Sequence, residues 1–296
     1  MALIPSSPWL MLPSDQEDNS NTRCFLSLAE KKAYKINNVF HDLVDAWCVG
    51  SSQGWLVVLD NKANPHLFSP FSNAKIQLPS FPTDLKPNVP DSYFVQNLLK
   101  HFILKSVLLF DNQNKHIVVV IYGNPSRLAF CMHGDNNMTW TDFGTPRSGP
   151  YCDIICYNNQ IYALKDNGFV EAWNFGGSTL FPTKIMSFRP VLDVGDNKKL
   201  FPRDKFSTQS YLVESMGELL LVNRFIGNFV NSEGVVVDES DLLDTEDTQP
   251  LMNEDYLYGG HDCGVFNLKD GSSKTLYQCD FERIDPPPFW IIPTRC

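Results

Sequence analysis

Residues 152–177 read CDIICYNNQIYALKDNGFVEAWNFGG, in which short apolar runs alternate with turn-forming residues. Asn158-Asn159 and Asp166-Asn167-Gly168 tolerate the positive φ angles that tight hairpin turns require. Because connections this short can only join antiparallel neighbours, the stretch predicts a meander. Its strands are expected at 152–157, 160–165 and 169–175.

The preceding residues, 107–143, show the same alternation, with turns at intervals of about ten residues. Strands are predicted there at Val107–Phe110, His116–Tyr122, Leu128–Met132 and Met138–Phe143. Similar hairpins are predicted within GSSQGWLVVLD (50–60), YLVESMGELLLVNRF (211–225) and GVFNLKDGSSKTLY (264–277). The chain therefore repeats one hairpin-based unit along most of its length.

The units recur at a nearly constant spacing. Markers taken at Gly54, Val107, Gln160, Gly217 and Gly264 lie 53, 53, 57 and 47 residues apart. A repeat of about 50 residues with four short strands is typical of a propeller blade. The strands are continuous apolar runs, which indicates burial on both faces, as in blades stacked around a ring. We therefore predict an all-β fold, a β-propeller of about five to seven four-stranded antiparallel blades. This prediction allows for one blade with fewer than four strands. A sandwich or split barrel is the alternative.

The two ends of the sequence resemble each other. Residues 8–13 read PWLMLP and residues 288–293 read PFWIIP, so each is a short apolar strand between two prolines. We expect one terminal strand to complete the blade that the other begins, which would close the ring.

The acidic excess of the chain is confined to one segment. The net charge is −10, yet residues 225–268 hold 10 of the 34 acids and no Lys or Arg, which leaves 24 acids against 24 Lys and Arg elsewhere. We expect residues 231–256 to form a long, acidic, mobile insertion in a single propeller domain spanning residues 1–296. Since no basic surface is predicted, nucleic acid is not expected as a partner.

The N-terminus does not read as a targeting signal. No Lys or Arg precedes Arg23, and Asp15, Glu17 and Asp18 are acidic. No run of about 18 apolar residues occurs, so no membrane span is expected. Eight cysteines in 296 residues, without a C-x-x-C pair, indicate buried thiols in a reducing compartment. We expect a cytoplasmic or nuclear protein, and the N-terminus does not support an organelle.

Sequence motifs for catalysis or cofactor binding are missing, including GxGxxG, the P-loop, HExxH and GxSxG. His261-Asp262-Cys263 places three reactive residue types side by side. Neighbours on a strand point to opposite faces, so a turn entering a hairpin is the preferred interpretation. The six histidines are too scattered in sequence to suggest a metal site.

The remaining polar and aromatic candidates have structural interpretations. Asp153 is interpreted as a strand-edge residue and Asp166 as a turn former. Blade packing is expected for the tryptophans of the strand segments, Trp47, Trp55, Trp140 and Trp173. We therefore predict no catalytic, cofactor-binding or metal-binding residue, no small-molecule substrate and no enzymatic activity.

Several stretches together resemble the plant F-box-associated KIB-type β-propeller family, a domain family of unknown function. They are PWLMLP (8–13), GSSQGWLVVLD (50–60), LFSPFSNAKIQLP (67–79), CDIICYNNQIYALKDNGFVEAWNF (152–175), YLVESMGELLLVNRF (211–225) and, from residue 258, YGGHDCGVFNLKDG followed by DPPPFWIIP. Members typically carry an N-terminal F-box, which docks on a Skp1-type adaptor of a cullin ubiquitin ligase. The propeller then selects the protein to be ubiquitinated. The resemblance implies a protein-binding role without an active site, and it transfers no binding residue to this sequence.

This sequence departs from the family pattern in two places. Leu12-Pro13 is similar to the start of an F-box, but residues 14–19, SDQEDN, cannot form the amphipathic helices that bind the adaptor. Residues 226–258 replace a further hairpin of the family with the acidic segment. We therefore expect a non-enzymatic propeller that binds an unknown protein, without a Skp1-type adaptor. The alternatives are a propeller hydrolase or lyase with a loop-borne site, and a degenerate paralogue without defined function.

Overall fold

The structure of the protein, a computed structural model, consists largely of β-strands. It describes residues 7–12, 22–37, 39–40, 43, 46–81, 102–110, 115–134, 138–144, 149–176, 181–190, 200–202, 204–227, 236, 263–266, 272–277 and 289–291. No helix of these residues is long and apolar enough to cross a membrane.

The described residues form six antiparallel sheets. Sheet 1 contains β1 (Trp9–Leu12), β2 (Arg23–Ser27), β3 (Lys32–Ile36) and the last strand, β20 (Phe289–Ile291). Sheet 2 contains β4 (Trp47–Ser52), β5 (Trp55–Leu59), β6 (Pro65–Phe68) and β7 (Lys75–Gln77). Sheet 3 contains β8 (Ile103–Phe110), β9 (His116–Tyr122), β10 (Arg127–Met132) and β11 (Thr141–Phe143). Sheet 4 contains β12 (Tyr151–Tyr157), β13 (Gln160–Lys165), β14 (Val170–Asn174) and β15 (Thr183–Phe188). Sheet 5 pairs β16 (Phe206–Ser215) with β17 (Glu218–Gly227), and sheet 6 pairs β18 (Cys263–Phe266) with β19 (Ser273–Tyr277).

A two-residue turn joins the first two strands of sheets 2, 4 and 5. The φ angles are 51° and 81° at Gln53-Gly54, 49° and 56° at Asn158-Asn159, and 54° and 79° at Met216-Gly217. Positive φ at both turn positions is characteristic of the type I′ turn, whose twist matches that of antiparallel strands. The Asn-Asn and Gly signals of the sequence therefore produce the same hairpin in three sheets.

Sheets 1 to 5 follow one another around a common axis. Their innermost strands lie beside each other in the order β20, β4, β8, β12 and β16. Four of the six sheets of the described residues have four strands. This arrangement confirms the predicted β-propeller and sets aside the sandwich or split barrel.

The terminal strands pair with each other, as expected, and together complete sheet 1. β20 pairs with β1 in antiparallel register, with Trp9 opposite Ile291 and Leu10 opposite Trp290. Because β20 also lies beside β4 of sheet 2, it is the innermost strand of sheet 1. The side chain of Ile291 is buried in the hydrophobic cluster between sheets 1 and 2.

The repeat of about 50 residues is real, but one marker was misassigned. The first strands of sheets 2 to 5 begin at Trp47, Ile103, Tyr151 and Phe206, which are 56, 48 and 55 residues apart. Val107 lies within the first strand of sheet 3, whereas Gln160 begins the second strand of sheet 4. The apolar run of β8 reads like that of a second strand, because both are buried, and this similarity caused the error.

Central strands contribute to the cores on both sides of a sheet. In β5, Val57 and Leu59 pack into the cluster between sheets 2 and 3, while Leu56 and Val58 pack into the cluster between sheets 1 and 2. The alternate residues of β9 divide in the same way between the cores on either side of sheet 3. Burial on both faces explains why these strands are continuously apolar.

Two predicted elements differ from the structure or lie beyond it. The strand predicted to begin at Met138 begins at Thr141 instead. Trp140 is turned into the core: its indole Nε1 donates a hydrogen bond to the carbonyl oxygen of Pro79 at 2.7 Å, and its ring stacks on Phe81 at 4.7 Å. The predicted acidic insertion at 231–256 lies outside the described residues, apart from Val236.

Candidate protein-binding surface

Asp153 connects three sheets near the axis of the ring. This residue, interpreted from the sequence as a strand-edge residue, lies on β12, the edge strand of sheet 4 nearest the axis, and is only 1% exposed. One carboxylate oxygen accepts a hydrogen bond from the backbone N–H of Leu212 on β16 at 2.6 Å. The other lies 2.5 Å from the Nζ atom of Lys105 on β8. The carboxylate therefore holds sheets 3, 4 and 5 together, and both of its oxygens are engaged.

A second buried carboxylate connects the four strands of sheet 4. The Oε1 atom of Glu171, on β14, lies 3.1 Å from Nζ of Lys165 on β13 and 3.5 Å from Nζ of Lys184 on β15. Its Oε2 atom accepts a hydrogen bond from the hydroxyl of Tyr151 on β12 at 2.6 Å. Each strand thus contributes one side chain to the cluster. Since these groups satisfy one another, we interpret the cluster as a structural tie.

The cysteine thiols of the inner strands are poor nucleophiles at neutral pH. Burial raises the pKa of Cys48 to about 12 and that of Cys156 to about 11. A thiol with such a pKa carries almost no thiolate at neutral pH, and the thiolate is the reactive form. Cys152 departs from the expectation of buried thiols, because it is exposed.

The other candidates from the sequence do not converge on one site. Asp166 lies in the turn between β13 and β14, as predicted, and the side chains of His261, Asp262 and Cys263 fall outside the described residues. Trp55 and Trp173 are buried between sheets, and Trp47 and Trp140 pack against the same core as Trp55, so the packing interpretation is confirmed. Within the described part of the chain, no group of three or more His, Cys, Asp or Glu residues could hold a metal ion.

The most unusual surface of the described residues is the outer strand of sheet 4. All six residues of β15 are exposed, including Ile185 at 44%, Met186 at 49% and Phe188 at 38%. β15 pairs only with β14, so its other edge is free of strand pairing within the described residues. Phe181, just before the strand, is also exposed. We call residues 181–190 the β15 edge.

The outer strands of sheets 1, 2 and 3 are better protected than β15 against pairing with another chain. β3 carries Lys32 and Lys35 among its five residues. β7 and β11 have only three residues each, with Lys75 on the former and Asp142 on the latter. Short strands and charged side chains prevent an edge from pairing with another chain. β15 has six residues, so it is not short, and its protection is limited to one charge, Lys184, and a bulge at Ile185.

Sequence reasoning missed β15, although a signal was present. Residues 181–190 read FPTKIMSFRP, an apolar strand enclosed by Pro182 and Pro190. The same pattern of a short apolar strand between prolines identified both terminal strands. β15 does not follow its neighbour through a two-residue turn, because residues 175–182 separate it from β14.

Comparison with known proteins gives one family and several relatives. A family model described as the KIB1-4 β-propeller matches residues 25–272. The F-box protein KIB2 of Arabidopsis thaliana is 28% identical over 62% of this chain and 42% of its own length. The F-box/kelch-repeat protein KIB1 of the same plant is 29% identical over 59% of this chain and 42% of its own length. The matches thus span less than half the length of these relatives.

Among solved structures, similarity is low. The β-propeller domain of Cps50 from Myceliophteria thermophila gives a TM-score of 0.35 at 10% identity, covering 77% of this chain and 62% of that chain. A similarity at this level adds nothing to the assignment made from the family model and the sheet topology.

Proposed function

Because the chain belongs to the KIB1-4 β-propeller family, we propose that it is a non-enzymatic module that binds another protein. Its relatives are named as F-box proteins. The family resemblance implies that the propeller of such a protein selects the substrate of a ubiquitin ligase. In our proposal this chain likewise binds its partner protein through its propeller.

One observation carries the proposal: the β15 edge presents an unpaired strand with exposed apolar side chains. Exposed apolar surface that is contiguous along a strand is typical of a protein interaction site. The buried carboxylates, by contrast, are engaged by neighbouring strands, which supports a structural role for them. We infer that this propeller provides a surface for binding and no reactive group.

Our proposal does not include direct binding of a Skp1-type adaptor. The segment after Leu12-Pro13 lacks the apolar periodicity of the helices that dock on that adaptor. In this proposal the chain binds its partner in the cytoplasm or nucleus.

Affinity purification from plant cells tests this function. A tagged chain of residues 1–296 is expressed, isolated after mild cross-linking, and its associated proteins are identified and then purified to measure binding directly. We expect one protein to bind saturably at a defined stoichiometry, with adaptor and cullin at background. A variant lacking residues 286–296, which should not close the ring, serves as the control for adhesion of unfolded chain.

Two outcomes contradict the proposal. If no protein binds the purified chain saturably, the binding function is wrong. If the Skp1-type adaptor copurifies at equal stoichiometry, the chain is a ligase receptor with a different docking segment, and the adaptor-free mode of action is wrong.

A further inference from the structure

We propose that the β15 edge binds an extended, acidic segment of a partner protein by adding it to sheet 4 as a fifth strand. This inference rests on the proposed binding function and specifies where and how the partner is held. Three features of the β15 edge support it: its outward-facing backbone groups, the apolar side chains beside them, and the charge of the surrounding residues.

Within the described residues, the backbone of β15 has no strand partner on its outer side. In its pairing with β14, Met186 lies opposite Ala172 and Phe188 lies opposite Val170. Alternate residues of an edge strand direct their N–H and C=O groups away from the only neighbour. An added strand would satisfy these groups, as in other complexes that form by strand addition. The bulge at Ile185 confines the regular part of the edge to Met186–Phe188 and the residues that follow.

Apolar side chains flank this regular part on both faces of the sheet. Met186 and Phe188 are exposed, and Ser187 between them faces the opposite side. Phe169 is exposed at the start of β14, next to Val170, which pairs with Phe188. Side chains of an added strand would cover these residues, and the small Ser187 leaves room for a larger one. The partner segment should therefore alternate apolar residues with others.

Charge identifies the partner as acidic. Residues 181–190 contain Lys184 and Arg189 and no Asp or Glu, although the whole chain has a net charge of −10. Lys184 is partly exposed beside Glu171, and Arg189 is exposed over the ring of Phe169 at 5.8 Å. Because of the bulge at Ile185, the two cations are four ladder positions apart, about 13 Å along the strand. A partner carboxylate would pair with Arg189, and Lys184, which already contacts Glu171, would add attraction at longer range.

The same charges disfavour a second copy of this chain as the occupant. The bulge at Ile185 adds a residue without adding a ladder position. If two β15 strands paired about a two-fold axis at Ser187, each Lys184 would therefore lie opposite an Arg189. Like charges opposite each other in a sheet are destabilising. An acidic segment of another protein would pair with the outward-facing backbone groups and with the basic side chains. A second copy would pair only with the backbone groups.

A displayed library of random 12-residue peptides, selected on the immobilised full chain, tests the inference. We expect enriched peptides to carry acidic residues and alternating apolar residues. Their affinities are then measured by fluorescence anisotropy on the chain and on two variants. Met186→Glu introduces an exposed charge of the wrong sign into the edge and should weaken binding at least about tenfold. Leu104→Glu, at an exposed leucine of β8, is the matched control and should leave affinity unchanged.

A charge exchange adds a readout that loss of folding cannot imitate. Arg189→Glu should weaken the acidic peptides, and replacing a peptide carboxylate by lysine should restore binding to this variant. Hydrogen exchange should show slower exchange of β15 amides when peptide is bound.

Several results would overturn the inference. They are enrichment of basic peptides, enrichment of none, equal binding by Met186→Glu, or a dimer of the chain that Met186→Glu converts to a monomer. The last result would identify a second copy as the occupant. If a cellular partner binds the chain and Met186→Glu leaves that binding intact, the proposed function stands and the β15 edge is not its site. If no cellular partner exists, the function falls whatever the peptides show.

Discussion

Asp153 shows how a single buried side chain can hold separate sheets together. Replacing it by Ala removes the acceptor of the Leu212 N–H and the partner of Lys105. A buried donor left without a partner costs about 1–3 kcal/mol, and hydrogen bonds to charged groups are worth about 1.5–3 kcal/mol. We therefore expect Asp153→Ala to lower the free energy of unfolding by about 3 kcal/mol in urea titrations. Asp153→Asn keeps one acceptor oxygen and should cost less. The exposed turn substitution Asp166→Ala is the control, and equal stability of all three would refute this role of Asp153.

The Glu171 cluster allows a test in which two substitutions cost less than one. Lys165 and Glu171 are 1% and 3% exposed, so removing one leaves the other buried without its main partner. Breaking a buried pair in this way costs about 3–5 kcal/mol, whereas replacing both members by apolar residues is often nearly neutral. We expect Glu171→Leu, which leaves the buried Lys165 without this carboxylate, to be more destabilising than the double variant Lys165→Met, Glu171→Leu. Thermal denaturation of the wild type, both single variants and the double variant measures the coupling, and additive losses would contradict it.

His116 makes stability depend on pH. Burial lowers its pKa below the usual value, and the nearby His133, whose ring is 6.0 Å away, lowers it further. As the pH falls, the unfolded chain therefore takes up a proton on His116 before the folded protein does. The contribution of neutral His116 to the free energy of unfolding is complete above about pH 6.5 and is lost as the pH falls through the pKa of the folded state. We expect the Tm to drop between about pH 7.5 and about pH 5.5, and to drop less in His116→Phe. An identical drop in both proteins would show that other groups are responsible.

Features that depend on residues adjacent in sequence could be predicted, and contacts between residues far apart in sequence could not. Asn158-Asn159 could be identified because its turn depends on two adjacent residues and their tolerance of positive φ. Asp153 could not, since its partners are 48 and 59 residues away and become neighbours only when the ring forms. The sequence offers no spacing from which such a contact follows.

Pairs of inner strands approach each other closely in this ring. A methyl group added at Gly50 on β4 would lie 2.0 Å from Oγ and 2.6 Å from the backbone oxygen of Ser106 on β8. Overpacking of this kind typically costs about 1–3 kcal/mol. We expect Gly50→Ala to lower the Tm and to weaken the contact between sheets 2 and 3.

Combining Ser106→Ala with Gly50→Ala distinguishes the clash with the Ser106 hydroxyl from the clash with the Ser106 backbone oxygen. Ser106→Ala removes the hydroxyl but leaves the backbone oxygen, so the double variant should recover only part of the loss. Full recovery would show that the strands themselves can move apart. Gly217→Ala is a useful comparison, because that position has open space but a φ of 79°, and any loss there reports backbone strain alone.

Whole strands were predictable where both ends carried a signal. β9 was predicted from His116 to Tyr122, as found, because turns bound it and every residue between is apolar. β11 was predicted too long, since the side chain of Trp140 is recruited by Pro79 and Phe81 of another sheet. β15 was overlooked because its exposed residues lack the continuous apolar pattern of the buried strands. The candidate binding site was therefore the part that sequence reasoning could reach least, since it breaks the rule that strands here are buried.

The closed ring depends on the pairing of β20 with β1. Deleting residues 286–296 removes β20, exposes the inner edge of β1 and opens the cluster that contains Ile291. We expect a sharp fall in Tm, or loss of a cooperative transition in calorimetry. Deleting only residues 292–296 keeps β20 and should have little effect. A melting curve unchanged by the longer deletion would show that the pairing does not close the ring.

At the level of the whole molecule, the repeat and the two proline-bounded ends were sufficient to predict a closed propeller. Both depend on the spacing of apolar runs, turn residues and prolines, and this spacing is kept even when individual residues differ between blades. The marker at Val107 shows the limit of this reasoning, because first and second strands of a blade are equally apolar. Assigning them requires knowing which strand lies at the axis, and that depends on the other blades.

The place of β20 also orders the events of biosynthesis. About 280 residues are translated between β1 and its inner partner, which takes about 15–55 s at about 5–20 residues per second. Throughout that interval sheet 1 has an open edge next to Leu10 and Met11, which are buried in the finished protein. The nascent chain must therefore be kept from aggregating until its last strand leaves the ribosome, so its yield in cells should depend on chaperones more than its final stability suggests.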